Sequence, residues 1–192
     1  MSMERMEKLD RLLPQVLPQL SGCPTSMAKD ALQFIAGDFC KVAGVWAREV
    51  LEPVFAGEVR VPLADIPRDA RIAQVEKVTL NGVPLSETGF YVGTDEIVLA
   101  EVPKCDASLM ARVTLRPARQ AECLPEDVLE EWGDIVAFGA LARLKSMSGE
   151  HVSWSDPQGA QINLTLYNEG IYAARTRMFR NRKGGGILFM NA

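Results

Sequence analysis

Hydrophobic positions recur every three or four residues in three segments, which predicts three amphipathic helices. The first runs from Thr25 to about Glu52, the second from Pro125 to Ser148, and the third from Pro157 to Arg182. At 1.5 Å per residue, the first and third helices would be roughly 37 and 39 Å long. A shorter helix is predicted over residues 3–13, because prolines follow at positions 14 and 18. The apolar stripes are Leu32, Ile35, Phe39, Val42, Trp46 and Val50; Val128, Trp132, Ile135, Val136 and Leu144; and Ala160, Leu164, Tyr167, Ile171, Ala174 and Met178.

Between residues 58 and 119 the pattern changes to short apolar runs separated by turn residues. Asn81-Gly82 follows one such run and is the strongest short signal for a tight hairpin, since both residue types tolerate a positive φ. Further runs lie at residues 90–92, 96–99 and 110–115. This spacing predicts a small antiparallel sheet or sandwich.

The predicted fold is therefore α+β, with the sheet inserted between the first and second long helices. It is a bundle of three long α-helices plus a short N-terminal helix, with an antiparallel β insertion and a flexible C-terminal tail. The predicted divisions are residues 1–57 and 121–183 for the bundle, 58–120 for the insertion and 184–192 for the tail.

The end of the chain combines a basic run, a glycine linker and an apolar tip. The basic residues are Arg175, Arg177, Arg180, Arg182 and Lys183, and the linker is Gly184, Gly185 and Gly186. The tip contains Ile187, Leu188, Phe189 and Met190. Three glycines give the segment no fixed direction, and an exposed apolar tip is typical of a segment that binds a partner. We therefore predict a docking tail.

Composition narrows the function classes. The net charge of −4 argues against a general nucleic-acid coat. The sequence contains no run of eighteen apolar residues, so no membrane span is predicted. The first ten residues lack the apolar core of a secretory signal. The four cysteines form no Cys-x-x-Cys pair, so we expect reduced, mostly buried thiols without a metal.

No set of residues converges on a catalytic motif. His151 is the single histidine, and the sequence contains no nucleophile elbow, phosphate-binding loop or dinucleotide glycine pattern. The sequence therefore predicts a protein that is not an enzyme and needs no cofactor.

A dense acidic cluster opens the second long helix, and three interpretations stay open for it. The simplest is a solvated first turn that complements the helix dipole. The second is a contact between subunits, made by Glu126, Glu130 and Glu131 with the basic run of a neighbouring copy, which would be able to close a ring. The third is a carboxylate metal site of an enzyme, built on Glu126, Glu130 and Asp134 within the acidic stretch at residues 122–134.

The basic run also has two interpretations. Positive charges near a helix C-terminus complement the dipole. In a ring, the same charges would form a positive band facing DNA or neighbouring subunits.

Residues 124–177 carry a resemblance to a known family. The matching elements are Pro125-Glu126 opening a helix, Trp132, the run Ala140 to Leu144, the run Trp154 to Gln158, and Gly170 to Arg175. With the helix–sheet–helix–helix order, this pattern resembles the head–tail connector, or adaptor, proteins of tailed bacteriophages.

The resemblance implies a structural virion protein, made in the bacterial host cytoplasm and located at the head–tail junction. Such proteins form a homo-oligomeric ring, commonly of twelve copies, beneath the portal protein and above a tail or nozzle protein. Double-stranded DNA passes through the ring without sequence-specific binding during ejection. The resemblance implies that the C-terminal tail docks into the portal. A carboxylate-metal enzyme and a free nucleic-acid-binding regulator are the alternatives from other classes.

Overall fold

The computed structural model describes residues 5–149 and 151–184, with side chains described as far as Arg180. The chain divides into two compact units. The helical unit comprises Met1–Val45 and Arg119–Ala192, and the β unit comprises Trp46–Ala118. The first boundary between the two units thus follows Val45, earlier in the chain than the predicted boundary at residue 57.

The described elements follow an α+β order, with a continuous run of strands between the second and third α-helices. The helices are α1 (Leu13–Val16), α2 (Thr25–Ala43), α3 (Glu126–Lys145) and α4 (Pro157–Gly184). Short 3-10 segments, Leu9–Leu12 and Leu17–Gln19, flank α1. The strands are β1 (Met6–Lys8), β2 (Ala47–Val54), β3 (Arg60–Pro62), β4 (Ala70–Leu80), β5 (Val83–Pro84), β6 (Phe90–Val92), β7 (Glu96–Leu99), β8 (Ala107–Pro117) and β9 (Cys123–Pro125).

The predicted bundle of three long helices is wrong, because the first of them stops at Ala43 after 19 residues. Gly44 ends it with a left-handed φ of 67°, and the Gly44 N–H donates to the carbonyl of Cys40 at 3.1 Å. The residues that the stripe assigned to the end of this helix form β2 instead. Trp46 and Val50 lie four residues apart, a spacing that fits a strand as well as a helix. The predicted apolar stripe therefore ran past Gly44, where the helix ends.

The predicted N-terminal helix over residues 3–13 is also wrong. Met6–Lys8 forms β1, which pairs antiparallel with β9, so that Glu7 lies opposite Leu124. Only Leu13–Val16 is α-helical in this region. Pro14 occupies the first turn of α1, where its missing N–H costs nothing, and Pro18 limits the extension.

The helical unit is held by close helix contacts at small residues. A Cβ on Gly139 of α3 would lie 2.5 Å from Ile35 Cγ2 and 2.9 Å from the ring of Tyr167. A Cβ on Gly170 of α4 would lie 2.5 Å from Ile135 Cγ2. These glycines let the backbones approach, so α3 packs against both α2 and α4.

The β unit contains two antiparallel sheets. One has the strand order β2-β8-β4-β5, and the other has the order β3-β7-β6. Both sheets bury apolar side chains, including Val50 and Leu109 of the first sheet and Val61 and Ile97 of the second. The first strand of the unit, β2, pairs with its last long strand, β8, and the Leu115 N–H donates to the Trp46 carbonyl at 2.7 Å.

The hairpin predicted at Asn81-Gly82 is confirmed. It joins β4 and β5, and both residues take positive φ values, 50° for Asn81 and 80° for Gly82. The Asn81 side chain also accepts a hydrogen bond from the Ser108 N–H at 2.8 Å, which ties the turn to β8.

Candidate functional site: the exposed surface of the last helix

Helix α4 begins where the sequence predicts, at Asp156-Pro157. The Asp156 Oδ1 accepts a hydrogen bond from the Gly159 N–H at 2.9 Å, and Lys145 Nζ lies 3.3 Å from its other oxygen. These hydrogen bonds, the backbone one foremost, lower the pKa of Asp156 below its usual value. The carboxylate therefore stays ionised as a cap at the positive end of the helix dipole.

Only a narrow stripe of α4 is buried. It consists of small or hydrogen-bonded residues at every third or fourth position: Ala160, Asn163, Tyr167, Gly170 and Ala174. Tyr167 donates a hydrogen bond from its hydroxyl to Asp38 Oδ2 at 3.0 Å, and its ring packs 6.4 Å from that of Phe39. The predicted stripe was partly right: Ala160, Tyr167 and Ala174 are buried. Leu164, however, is 42% exposed, and Asn163 and Gly170 face the core in its place.

The rest of α4 presents large apolar side chains to solvent. Ile162 is 56% exposed, Tyr172 69% and Phe179 55%, and Leu166 is also exposed. With 3.6 residues per turn, Ile162, Leu166 and Ala173 lie within about 40° of one another on one side of the helix. Tyr172 and Phe179 lie on a second side. We call the first of these sides, Ile162 with Leu166 and Ala173, the apolar side of α4.

A shallow groove of about 480 Å³ lies along the C-terminal half of α4. It is lined by Tyr172, Ala173, Thr176, Arg177 and Arg180. The groove therefore combines one aromatic ring with two guanidinium groups on an open surface.

The predicted basic residues divide into two groups. Arg177 forms an ion pair with Glu131 of α3, and its guanidinium lies 6.0 Å from the ring centre of Trp132. Arg175 and Arg180 are exposed on α4. The side chains of Arg182 and Lys183 lie outside the described residues.

The three acidic residues predicted to face a neighbouring subunit all have partners in their own chain. Glu126 lies 3.2 Å from Arg5, Glu130 lies 3.9 Å from Arg11, and Glu131 pairs with Arg177. The nearby Asp134 accepts a hydrogen bond from Gln15 at 3.1 Å. The antiparallel run of α3 and α4 places Glu131 beside Arg177, whereas Glu126 and Glu130 are paired by arginines of the N-terminal segment. A contact between subunits at this place would have to compete with these pairs.

The remaining predicted features of the described residues are the carboxylate metal site and His151. Within residues 5–149 and 151–184, no group of three or more His, Cys, Asp or Glu side chains could hold a metal ion. His151 is exposed in the segment before α4. Of the described helices, none is both long and apolar enough to cross a membrane.

The four cysteines are free thiols, but they are less buried than predicted. Cys40 is buried and Cys105 is exposed, while Cys23 and Cys123 are intermediate. Burial raises the pKa of the Cys40 thiol to about 12.

The predicted docking tail lies mostly outside the described residues. Helix α4 extends to Gly184, so the helix covers the first residue of the predicted linker. Gly185, Gly186, Ile187, Leu188, Phe189 and Met190 fall outside the described part of the chain.

One surface feature of α2 was not predicted from the sequence. Phe34 is 56% exposed, and the guanidinium of Arg143 stacks over its ring at 4.2 Å. Gly37 follows one turn later, with nothing within 4 Å of the position a Cβ would occupy. The signal was present in the sequence, because Phe34 falls off the Leu32–Ile35–Phe39 stripe and a glycine interrupts the middle of a helix.

Comparison with known proteins adds no family. No protein-family model matches the chain, and no curated protein matches it significantly.

Proposed function

We propose that the protein is a ring-forming head–tail adaptor of a tailed bacteriophage, a structural virion component that performs no turnover chemistry. It would join the portal protein to a tail or nozzle protein and line the channel through which DNA leaves the head. The observation that carries the proposal is the surface of α4, a 28-residue helix that buries one narrow stripe and exposes large apolar side chains.

An isolated subunit gains nothing from exposing Ile162 and Leu166 one turn apart on the apolar side of α4. Contiguous apolar surface of this kind is typical of sites that bind other proteins. Fully burying one such side chain is worth about 1.5–3 kcal/mol, so a contact repeated around a ring stabilises the assembly substantially. This supports self-association through α4.

The residues that carry the family resemblance also belong to one structural region. Trp132 and the run Ala140 to Leu144 lie in α3, and Gly170 to Arg175 lie in α4. Gly170 serves the contact between these helices, since its Cβ position is filled by Ile135. The motif therefore coincides with a packed helix pair, and the exposed Arg175 and Arg180 of α4 would suit the passage of DNA without sequence-specific binding.

The first experiment measures assembly directly. Purified protein, alone and with a portal protein, is examined by sedimentation and negative-stain microscopy, and we expect a ring stacked on the portal. A double substitution on the apolar side of α4, Ile162→Asp with Leu166→Asp, should abolish the ring while leaving the melting temperature unchanged. The matched control, Gln161→Asp with Thr165→Asp, adds the same charge at exposed polar positions on another side of α4 and should assemble normally.

The acidic cluster is tested by charge reversal on one side of the contact. Replacing Glu126, Glu130 and Glu131 with lysine breaks three surface ion pairs, each of which contributes little to the stability of one subunit. If the three carboxylates also bind the basic run of a neighbour, the triple variant folds normally and fails to form rings. Normal assembly of the triple variant on portals would show that this contact between subunits does not exist.

The docking tail is tested by truncation. Deleting residues 187–192 should leave the melting temperature of the subunit unchanged and abolish stable attachment to the portal. A truncated protein that melts well below the intact one would assign the tip to its own domain instead.

A further inference from the structure

Strand β2 has one edge paired with β8 and one open edge. The Leu115 N–H donates to the Trp46 carbonyl, which fixes the alternation of the antiparallel ladder. Residues opposite Val113, Ala111 and Leu109 then direct their backbone groups toward β8. The backbone groups of Ala47, Glu49 and Leu51, at the intervening positions, point away from β8.

These outward groups are available for pairing. In the described part of the chain, the N–H groups of Ala47, Glu49 and Leu51 have no hydrogen-bond partner. Their side chains are all exposed, and Leu51 is 65% exposed. Leu51 lies directly opposite Met110 of β8, itself 39% exposed, so an apolar pair borders the open edge.

The free edges of β3, β4 and β5 carry features that discourage pairing with another strand, and β2 lacks most of these features. The register of β4 is irregular between Ile72 and Gln74 and again between Val75 and Lys77. β5 has two residues and contains Pro84, and β3 ends in Pro62. Bulges, prolines and short length are the usual protections of a free edge. β2 has eight residues in continuous register, and its Pro53 lies near its end.

The second sheet offers a complementary edge at β6. The Gly93 N–H donates to the Glu96 carbonyl and the Ala100 N–H to the Gly89 carbonyl, so the backbone groups of Phe90 and Val92 point away from β7. β6 carries no charge, proline or bulge, and Tyr91 and Val92 are 67% and 47% exposed.

We propose that the open edge of β2 in one copy pairs with β6 of the next copy, which extends the sheets from subunit to subunit. This inference rests on the proposed ring. The two edges belong to different strands, so the contact is head-to-tail and able to close a ring, whereas pairing of β2 with itself would stop at a dimer. The apolar side chains of Leu51 and Val92 would be covered in the same contact, and β6 brings no charge against Glu49.

The decisive variant is Leu51→Pro. The Leu51 N–H points away from β8, so a proline at this position leaves the β2–β8 ladder intact and blocks the open edge. We expect the ring population to fall about tenfold or more, as edge prolines are a natural defence against strand addition. The matched control Leu51→Thr keeps the N–H group and should retain most of the assembly. Val92→Pro blocks the other edge independently and serves if Leu51→Pro fails to fold.

Hydrogen exchange measured on the intact chain gives the second readout. The amide hydrogens of Glu49, Leu51 and Val92 should exchange at least about tenfold more slowly in rings than in subunits. Rings with unprotected amides, or rings formed normally by both Leu51→Pro and Val92→Pro, would overturn the inference and leave the proposed function standing. A wild-type protein that stays monomeric alone and with a portal overturns both.

Two further outcomes identify a different occupant and also overturn the inference. Dimers protected at Glu49 and Leu51 but not at Val92 would indicate pairing of β2 with β2 of a second copy. Protection of Glu49 and Leu51, but not of Val92, that arises only after addition of a portal or tail protein would assign the open edge to that protein.

Discussion

The helix contacts of one unit and the β4–β5 hairpin of the other use glycine for opposite reasons. In the helical unit, Gly139 and Gly170 have ordinary helical backbones, and the space beside them is filled by Ile35, Tyr167 and Ile135. In the β unit, Gly82 has nothing within 4 Å of its Cβ position but takes a φ of 80°. The contacts among α2, α3 and α4 therefore depend on the close approach of distant segments, and the β4–β5 hairpin depends on local turn geometry.

This difference decides which substitutions each unit tolerates. A side chain added at a helix contact must displace its neighbours, while a side chain added at the hairpin displaces nothing but strains the backbone.

Gly139→Ala should destabilise the helical unit by about 3 kcal/mol, the upper end of overpacking costs, because its Cβ would meet Ile35 and the Tyr167 ring below 3.0 Å. Gly170→Ala should behave similarly against Ile135. Urea unfolding followed by circular dichroism measures both free energies of unfolding. Unchanged stability would mean that α3 and α4 are not in close contact at these residues.

Tyr167→Phe should destabilise the helical unit by about 2 kcal/mol at pH 7, because it removes a buried hydroxyl that donates to a carboxylate. The control Tyr91→Phe changes an exposed tyrosine of the β unit and should have no effect.

The same variant has a predicted pH dependence. Burial, together with the Asp38 carboxylate, raises the pKa of Tyr167 far above its ordinary value. Tyr167 therefore ionises in the unfolded chain above about pH 10 while the folded chain keeps the proton. Its stabilising contribution is complete below that pH and declines as the pH rises. The stability difference between Tyr167→Phe and wild type should thus shrink above pH 10, and a constant difference would contradict this origin.

Gly82→Ala should destabilise the β unit by about 1–2 kcal/mol, the cost of a left-handed backbone for a residue with a Cβ. Gly82→Asn keeps more of the stability, since asparagine tolerates this conformation. Tryptophan fluorescence does not isolate the β unit, so amide exchange in β4 and β5 is the better measurement. Equal losses for alanine and asparagine would argue against turn strain as the cause.

Gly37→Ala should stabilise the helical unit by about 0.5–1 kcal/mol, because this mid-helix glycine faces open space and alanine has the higher helix propensity. The change is the matched control for Gly139→Ala, with the same substitution in the same unit and the opposite expected sign. A destabilised variant would show that the space beside Phe34 is needed by the folded subunit itself.

Local signals in the sequence predicted local structure well. Asp156-Pro157 predicted the start of α4, and Asn81-Gly82 predicted the hairpin, because each depends on the conformational preferences of adjacent residues. Period alone failed at Trp46 and Val50, where a spacing of four residues fits both a helix and a strand. Gly44 was the missed stop signal, and its left-handed conformation requires the chain to leave the helix there.

The candidate site was harder to predict because it consists of the side chains of α4 that stay exposed after the helices have packed together. The sequence identified the acidic and basic residues but not their partners. Glu131 meets Arg177 because α3 and α4 run antiparallel, and Glu126 and Glu130 meet arginines of the N-terminal segment. Similarly, a stripe of Leu164, Ile171 and Met178 looks like the buried side of a helix. The structure instead buries Asn163 and Gly170, since glycine permits the contact and Asn163 bonds to the Gly159 carbonyl at 2.7 Å.

The pairing of β2 with β8 has a consequence for how this chain can be rearranged. The β unit starts and finishes on adjacent strands, joined by the 2.7 Å hydrogen bond between Trp46 and Leu115. A segment whose two ends lie side by side can be excised, exchanged or circularly permuted without separating the residues that flank it in the rest of the chain. The surface presented by the β unit can therefore diversify through whole-segment exchange, independently of the helices encoded on either side.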